Sequence, residues 1–116
     1  METYDVRFLQ EVLDDLEEIT LYIAQESHQS ALQMHDRIIE KANDFSVFPK
    51  RGRFVSDKKM AAVGYRILGI KPYLVFYRII ERNVFIYRVL HGAMNYPMLY
   101  QQMVQDLGGD IYVSPC

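Results

Sequence analysis

The sequence contains one cysteine, Cys116, among its 116 residues. A single thiol excludes an intrachain disulfide, and with it the small secreted folds that depend on disulfides. No apolar run approaches the roughly 18 residues that a membrane-spanning helix needs. The start of the chain also lacks the basic and apolar regions of a signal peptide. We therefore expect a cytoplasmic protein that has no membrane partner.

The chain also lacks the motifs of common catalytic and cofactor sites. Residues 64–69, Gly-Tyr-Arg-Ile-Leu-Gly, begin like a phosphate-binding loop but continue with Ile70 where that motif has a lysine. The three histidines, His28, His35 and His91, have no cysteine or carboxylate at the spacing of a metal site. No serine or cysteine nucleophile has a recognisable base. We expect no metal and no cofactor.

Charge is unevenly distributed along the chain, although the net charge is only −2. Residues 9–26 contain six acids and no Lys or Arg, whereas residues 49–91 contain ten Lys and Arg against Asp57 and Glu81. Such a distribution predicts either a basic surface for phosphate or an acidic peptide, or two blocks that neutralise each other in the fold. The acid pairs Asp14/Glu18 and Glu11/Asp15 are expected on a solvated helix face.

The first half of the chain predicts a strand followed by a helical hairpin. Apolar and polar residues alternate from Thr3 to Phe8, which is the pattern of a half-buried strand. Helical spacing of apolar residues follows over residues 9–26 and again from Ala31 to Phe48. Ser27 or Ser30 is the expected N-cap of the second helix, and the short joint predicts that the two helices are antiparallel.

The second half predicts a sheet. Residues 49–61 are expected to form a basic, irregular loop. Three strands follow at 63–71, 73–80 and 84–91, which predicts an antiparallel meander. Pro97 begins a short C-terminal helix that ends at Gly108. The fold class is α+β, with one domain over residues 1–107 and a flexible tail over 108–116.

The strands carry apolar or aromatic residues on both faces, with arginines between them. An antiparallel sheet with one face in water should instead alternate apolar and polar residues. Either helices cover both faces, or one face is covered by a partner. Two helices and a short C-terminal helix are too few to cover both faces of the sheet, which favours a partner on one face.

The most specific motif lies at the end of the last strand, where residues 87–96 read Tyr-Arg-Val-Leu-His-Gly-Ala-Met-Asn-Tyr. It is accompanied by Phe-Pro-Lys-Arg-Gly at 48–52, Gly-Tyr-Arg at 64–66 and Tyr-Leu-Val-Phe-Tyr at 73–77. Together these segments resemble the ParE/RelE superfamily of toxins from bacterial type II toxin–antitoxin modules, over about residues 4–100. The order of elements in that superfamily matches the order predicted above.

The resemblance implies a toxin that a cognate antitoxin holds silent by laying an acidic segment across its sheet and helices. It also implies that operator DNA is bound only through the antitoxin. RelE-like members are ribosome-dependent, metal-independent mRNA endoribonucleases, which use cationic groups to stabilise the transition state. ParE-like members inhibit DNA gyrase and are not nucleases. A third possibility is a toxin-like fold that serves only as a binding or repressor subunit.

Two positions favour the ParE-like mechanism. The RelE-like pattern has an arginine where this chain has Leu74, and another where it has Ala93-Met94. A ribonuclease would be left with Arg66, His91 and Tyr100. The residues expected to contact the antitoxin or the target are Arg51, Arg53, Arg66, Arg78, Arg88, His91 and Tyr96. Arg66 and Arg88 have an alternative role, which is to pair with an acid of the first helix, and His91 could be a half-buried structural residue.

Overall fold

The computed structural model describes residues 3–92. Two long helices follow a short first strand, and the remaining strands follow the helices. The elements are β1 (Asp5–Phe8), α1 (Gln10–Ala24), α2 (His28–Asn43), a 3-10 turn (Asp44–Ser46), β2 (Arg53–Phe54), α3 (Lys58–Ala62), β3 (Arg66–Ile70), β4 (Tyr73–Ile80) and β5 (Asn83–His91). This is the predicted α+β class. The predicted C-terminal helix and the tail at 108–116 lie outside the described residues.

The described strands form one five-stranded sheet in the order β1-β5-β4-β3-β2. β3, β4 and β5 are the predicted antiparallel meander, with Tyr73 of β4 opposite both Ile70 of β3 and His91 of β5. β1 pairs with β5 in parallel, so that Val6 lies opposite Val84. The last strand therefore lies beside the first, and the two helices that follow β1 cross over one face of the sheet before the meander begins.

The prediction that residues 49–61 are irregular was wrong, because this segment contains β2 and α3. β2 pairs only Arg53 with Ile67 and Phe54 with Arg66. α3 is a five-residue helix, and the Asp57 carboxylate caps it by accepting a hydrogen bond from the Met60 amide. Neither element is long enough to produce a period in the sequence, which is why pattern alone missed them.

α1 and α2 form the predicted antiparallel hairpin and pack on one face of the sheet. Ser27 is the N-cap of α2, since its hydroxyl accepts a hydrogen bond from the Ser30 amide at 3.1 Å. α2 ends at Asn43, earlier than predicted, and the 3-10 turn carries Phe45 into the core. The buried residues of this face are Val12, Leu16, Ile38, Ala42, Phe45, Ile70, Tyr73, Val75, Tyr77, Val84, Ile86 and Val89.

The opposite face of the sheet carries a second apolar cluster, to which the segment between α2 and β3 contributes Val55 and Met60. The other buried members are Tyr65, Ile67, Phe76, Tyr87 and Leu90. Within residues 3–92, the two long helices thus cover one face, whereas the β2–α3 segment contributes Val55 and Met60 as its buried members to the cluster on the other. We refer to the face opposite the hairpin as the second face.

Gly52 fixes the path of the chain between the hairpin and the second face. Its amide donates a hydrogen bond of 2.8 Å to the hydroxyl of the buried Tyr77. A Cβ at this position would meet the Ile67 carbonyl oxygen and would lie 2.7 Å from the Tyr77 hydroxyl. Only a residue without a side chain allows so close an approach to the sheet.

We predict that Gly52→Ala lowers the free energy of unfolding by about 1–3 kcal/mol, as overpacking in a filled core does. The measurement is urea unfolding followed by circular dichroism. Gly69→Ala is the matched control, because the nearest atom to its Cβ would be Leu74 Cδ2 at 3.7 Å. Equal unfolding midpoints for the two variants would show that Gly52 is not held against the sheet.

Candidate interaction surface

Exposed aromatic and basic residues occur together along residues 47–54, which we call the basic rim. Phe48 is 62% exposed and Phe54 is 53% exposed. Lys50, Arg51 and Arg53 lie exposed between these two rings. Arg51 makes one ion pair, 3.2 Å from Nη1 to Oδ2 of Asp44. An exposed pairing of this kind contributes little to stability and leaves the cation accessible to a partner.

Arg66 holds the basic rim against the sheet. Its Nη1 donates a hydrogen bond of 2.8 Å to the Gly52 carbonyl oxygen. Its guanidinium carbon lies 4.1 Å from the centroid of the Phe54 ring, in a cation–π arrangement. The predicted alternative, a pairing of Arg66 with an acid of the first helix, is therefore wrong. Arg66 contacts a backbone carbonyl and an aromatic ring instead.

Tyr77 lies beneath the rim and has an altered acidity. Burial raises the pKa of the Tyr77 hydroxyl above its ordinary value. The Gly52 amide and the positive charge and hydrogen bond of Arg66 act in the opposite direction but do not cancel the effect of burial. The phenol is therefore neutral at physiological pH and accepts the hydrogen bond of the Gly52 amide.

Arg88 is tied to the first helix, as its alternative role predicts. Arg88 Nε and Nη2 donate hydrogen bonds of 2.8 and 3.0 Å to the two carboxylate oxygens of Asp15. The Val89 amide donates a third, of 3.0 Å, to the same carboxylate. Between β4 and β5 the register passes from Phe76–Arg88 to Tyr77–Ile86, so Tyr87 is an extra residue in β5. Asp15 thus joins α1 to the strand at an irregularity in the ladder.

The prediction that Asp15 belongs to a solvated helix face was wrong, since this residue is only 8% exposed. The spacing of apolar residues in the sequence indicates this burial. Asp15 stands three residues after Val12 and next to Leu16, both of which are buried, so helical geometry places it at the edge of the apolar stripe. Its neighbour Asp14 is exposed, as predicted.

Arg78 lies on the second face and is 5% exposed. Its guanidinium carbon is 5.3 Å from the centroid of the Tyr65 ring. Its Nε and Nη1 are buried and have no hydrogen-bond partner among the residues that the structure describes. A guanidinium buried in this way is rare, because charged groups are almost never fully buried without a partner.

His91 ends β5 and is exposed. Its ring packs edge-on against Tyr73, with 5.6 Å between the centroids. The two rings contribute to a cleft of about 550 Å³ between α1 and the end of the meander, which Tyr22 and Arg88 also line. Burial, followed by the nearby Tyr22 hydroxyl, raises the pKa of Tyr73. The prediction that His91 is a half-buried residue was wrong, because His91 is exposed.

Arg66 and His91 do not meet. Arg66 lies opposite Tyr77 on one side of β4, and His91 lies opposite Tyr73 on the other side. Four residues along a strand and two strand spacings give a backbone separation of about 16 Å. Leu74 packs with the apolar cluster of the second face and adds no charge between them. Tyr96 and Tyr100, the other residues predicted for the site, lie outside the described part of the chain.

The described residues hold no group of three His, Cys, Asp or Glu that could bind a metal. Within residues 3–92, no helix combines the length and the apolarity needed to cross a membrane.

Residues 6–96 match a family model. That model is described as the ParE toxin of the type II toxin–antitoxin system parDE. The match runs from β1 past the end of β5 and so includes the rim, the Asp15–Arg88 pair and Arg78. The chain belongs to the ParE toxin family. No curated protein is significantly similar to the toxin in sequence.

Two solved structures share the fold of the toxin. A chain of the chromosomal ParDE toxin–antitoxin system from P. aeruginosa has a TM-score of 0.63 at 17% identity, covering 77% of this chain and 96% of that one. A chain of the toxin–antitoxin complex RelBE2 from Mycobacterium tuberculosis has a TM-score of 0.57 at 26% identity, covering 77% and 98%. The toxin thus resembles both branches of the ParE/RelE superfamily.

We predict that Asp15→Asn lowers the free energy of unfolding by about 2 kcal/mol, because the half-buried Arg88 guanidinium loses the negative charge of the Asp15 carboxylate. The measurement is urea unfolding near neutral pH. Asp14→Asn is the control, since Asp14 is exposed and is bonded only to the Gln10 side chain, at 3.1 Å. If both variants unfold at the same urea concentration, the Asp15–Arg88 pair does not hold α1 to β5.

We predict that Tyr77→Phe lowers the free energy of unfolding by about 1–3 kcal/mol near neutral pH, because the buried Gly52 amide loses its acceptor. The difference from the wild type should narrow as pH rises above 10. There the unfolded chain ionises its tyrosine while the folded protein, in which the pKa is raised, must keep the phenol neutral, so wild-type stability falls.

Urea titrations between pH 7 and 11 measure this difference, with Tyr22→Phe as the control because Tyr22 is 70% exposed. Tyr73 ionises equally in the wild type and in the Tyr77 variant, so its own raised pKa cancels in the comparison. A gap that stays constant or widens with pH would contradict the burial of the Tyr77 phenol.

Proposed function

We propose that the toxin inhibits DNA gyrase, stabilising the state in which gyrase has cleaved its DNA, and that a cognate antitoxin neutralises it. Its membership of the ParE family supports both parts, and its likeness to chains of toxin–antitoxin systems supports the second part. Operator DNA is then bound through the antitoxin, and the toxin acts in the bacterial cytoplasm, where gyrase and its DNA are found.

The separation of Arg66 and His91 is the observation that carries this choice of target. Metal-independent cleavage of RNA requires cationic groups and a proton acceptor within hydrogen-bond reach of one phosphodiester. Here the register and ideal strand spacings separate the backbones of Arg66 and His91 by about 16 Å along and across the sheet. Arg66 is further engaged with the Gly52 carbonyl and the Phe54 ring. The described part of the sheet therefore offers binding groups at two separate places, which supports binding of a partner over cleavage at one phosphate.

The basic rim is the surface that suits the gyrase–DNA complex. Two exposed phenyl rings provide apolar anchors of the kind that dominate the energetics of interfaces, and three exposed cations flank them. Cations attract a DNA-bound partner over a Debye length and raise the rate of association. The Arg66–Gly52 and Tyr77–Gly52 contacts give the rim a fixed shape before it binds.

A second function, ribosome-dependent cleavage of mRNA, is favoured by one observation. The chain from the RelBE2 complex has the higher sequence identity, 26% against 17%, although its TM-score is the lower of the two. Arg66 also stands where RelE-like toxins have a base. Against this, Leu74 places an apolar side chain at a position where such toxins have a cation.

The direct test adds purified toxin to gyrase and relaxed plasmid and measures supercoiling. We expect inhibition near equimolar toxin, with linear DNA accumulating after detergent and protease treatment. Normal supercoiling at large toxin excess, together with cuts in translated mRNA that Arg66→Ala abolishes, would contradict gyrase inhibition and support the ribonuclease.

The same assay tests the rim through Phe48→Ala, which should raise the toxin concentration for half-inhibition about tenfold or more. Leu32→Ala is the matched control, because Leu32 is 63% exposed and lies on α2, away from the rim. An equal effect of the two substitutions would show that the rim is not the gyrase-binding surface.

A further inference from the structure

The guanidinium of Arg78 is a buried cation that the described part of the chain leaves without a counter-charge. The side chain is 5% exposed, and Nε and Nη1 have no hydrogen-bond partner within residues 3–92. Its surroundings are apolar: it lies beside the cluster formed by Tyr65, Phe76 and Tyr87. The Tyr65 ring at 5.3 Å offers cation–π attraction, but a ring face accepts no N–H hydrogen bond of ordinary strength.

Two other arginines of the sheet show what this position lacks. Arg88 has the Asp15 carboxylate, and Arg66 has a backbone carbonyl with an aromatic ring stacked on it. Among the described residues, Arg78 has the Tyr65 ring and no acceptor for Nε or Nη1. Because removing a guanidinium from water without an acceptor costs several kcal/mol, a sequence that needed only an apolar side chain here would be more stable with methionine or leucine.

Gly64 lies beside the Arg78 guanidinium and carries no side chain there. This residue has a φ of +95°, a backbone conformation that L side chains rarely adopt. A Cβ at position 64 would lie 3.9 Å from Arg78 Nε, in van der Waals contact with it. Since glycine supplies no such atom, position 64 places no side chain against the guanidinium.

We propose that Arg78 receives one carboxylate of the antitoxin, which completes the second face when the complex forms. This inference rests on the antitoxin part of the proposed function and is independent of the target. A carboxylate fits because its two oxygens match the fork of the guanidinium and remove the cost of the buried charge. An antitoxin segment laid across the second face would bring an Asp or Glu side chain to this position.

The proposal predicts effects of opposite sign for Arg78→Met. In the free toxin, replacing a buried unpaired cation by an apolar side chain of similar length should raise the urea midpoint of unfolding. In the complex, the same change should weaken antitoxin binding roughly 30-fold or more, since one partner of a buried charge pair is removed. A residue with only a structural role would lose stability and keep its affinity.

The experiment uses full-length toxin and its cognate antitoxin, purified as the complex, separated and recombined for calorimetric titration. Arg37→Met is the matched control, because Arg37 is exposed on α2 and its loss changes the net charge equally. Affinity of the Arg78 variant within about threefold of the Arg37 variant would overturn the proposal.

A double-mutant cycle keeps the test decisive if Arg78→Met disturbs folding. Each Asp and Glu of the antitoxin's toxin-binding segment is changed to its amide, and every variant is titrated against wild-type toxin and against Arg78→Lys and Arg78→Met. One acid should weaken binding to the wild type about tenfold or more. It should have a smaller further effect on the Arg78→Lys toxin, whose ammonium cannot match both carboxylate oxygens, and little further effect on the Arg78→Met toxin if that variant folds. Absence of any such acid would overturn the proposal.

Inorganic phosphate distinguishes a carboxylate carried by the antitoxin from a small free anion. The urea midpoint of free wild-type toxin is measured with rising phosphate, with chloride at matched ionic strength as the reference. An Arg78-dependent rise of the midpoint, without any antitoxin acid that couples to Arg78, would assign the site to a free anion and contradict the proposal. The supercoiling assay contains no antitoxin, so its failure would leave this test unaffected.

Discussion

The carboxylate of Asp15 is the contact on which the arrangement of the sheet's charges depends. It joins α1 to β5 through Arg88 and through the Val89 amide, and so fixes the hairpin over one face at the place where the ladder is irregular. One arginine of the sheet, Arg88, is therefore paired within the chain. A second, Arg66, is used to hold the basic rim. Arg78 is left on the opposite face, buried and without an acid among the described residues.

This division explains how a chain with a net charge of only −2 can still offer cations to a partner. The acidic and basic blocks meet in the Asp15–Arg88 pair. Arg51 of the basic block pairs with Asp44, which lies outside the acidic block. Other basic side chains of the rim remain exposed. Pairing between the two blocks therefore holds for Asp15 and Arg88, whereas binding of a partner by the basic rim stays a prediction.

The order of elements, the meander and the Ser27 cap could be predicted because each depends on a period or a local hydrogen bond. β2 and α3 could not, because two and five residues give no period and are specified by contacts with β3 and the second face. The roles of Gly52 and Tyr77 depend on a contact between residues 25 positions apart, which no local pattern encodes. The prediction that Asp15 is solvated was wrong because a charged residue favours an exposed position, whereas its helical position beside Val12 and Leu16 places it at the edge of the core.

The central claim is that an acidic polypeptide completes the second face. A crystal structure of the toxin bound to its antitoxin tests this claim most directly. The account predicts that an antitoxin carboxylate lies within about 3 Å of the Arg78 guanidinium, with the Asp15–Arg88 pair unchanged. An antitoxin that leaves the Arg78 guanidinium without a carboxylate, or that displaces Asp15 from Arg88, would contradict it.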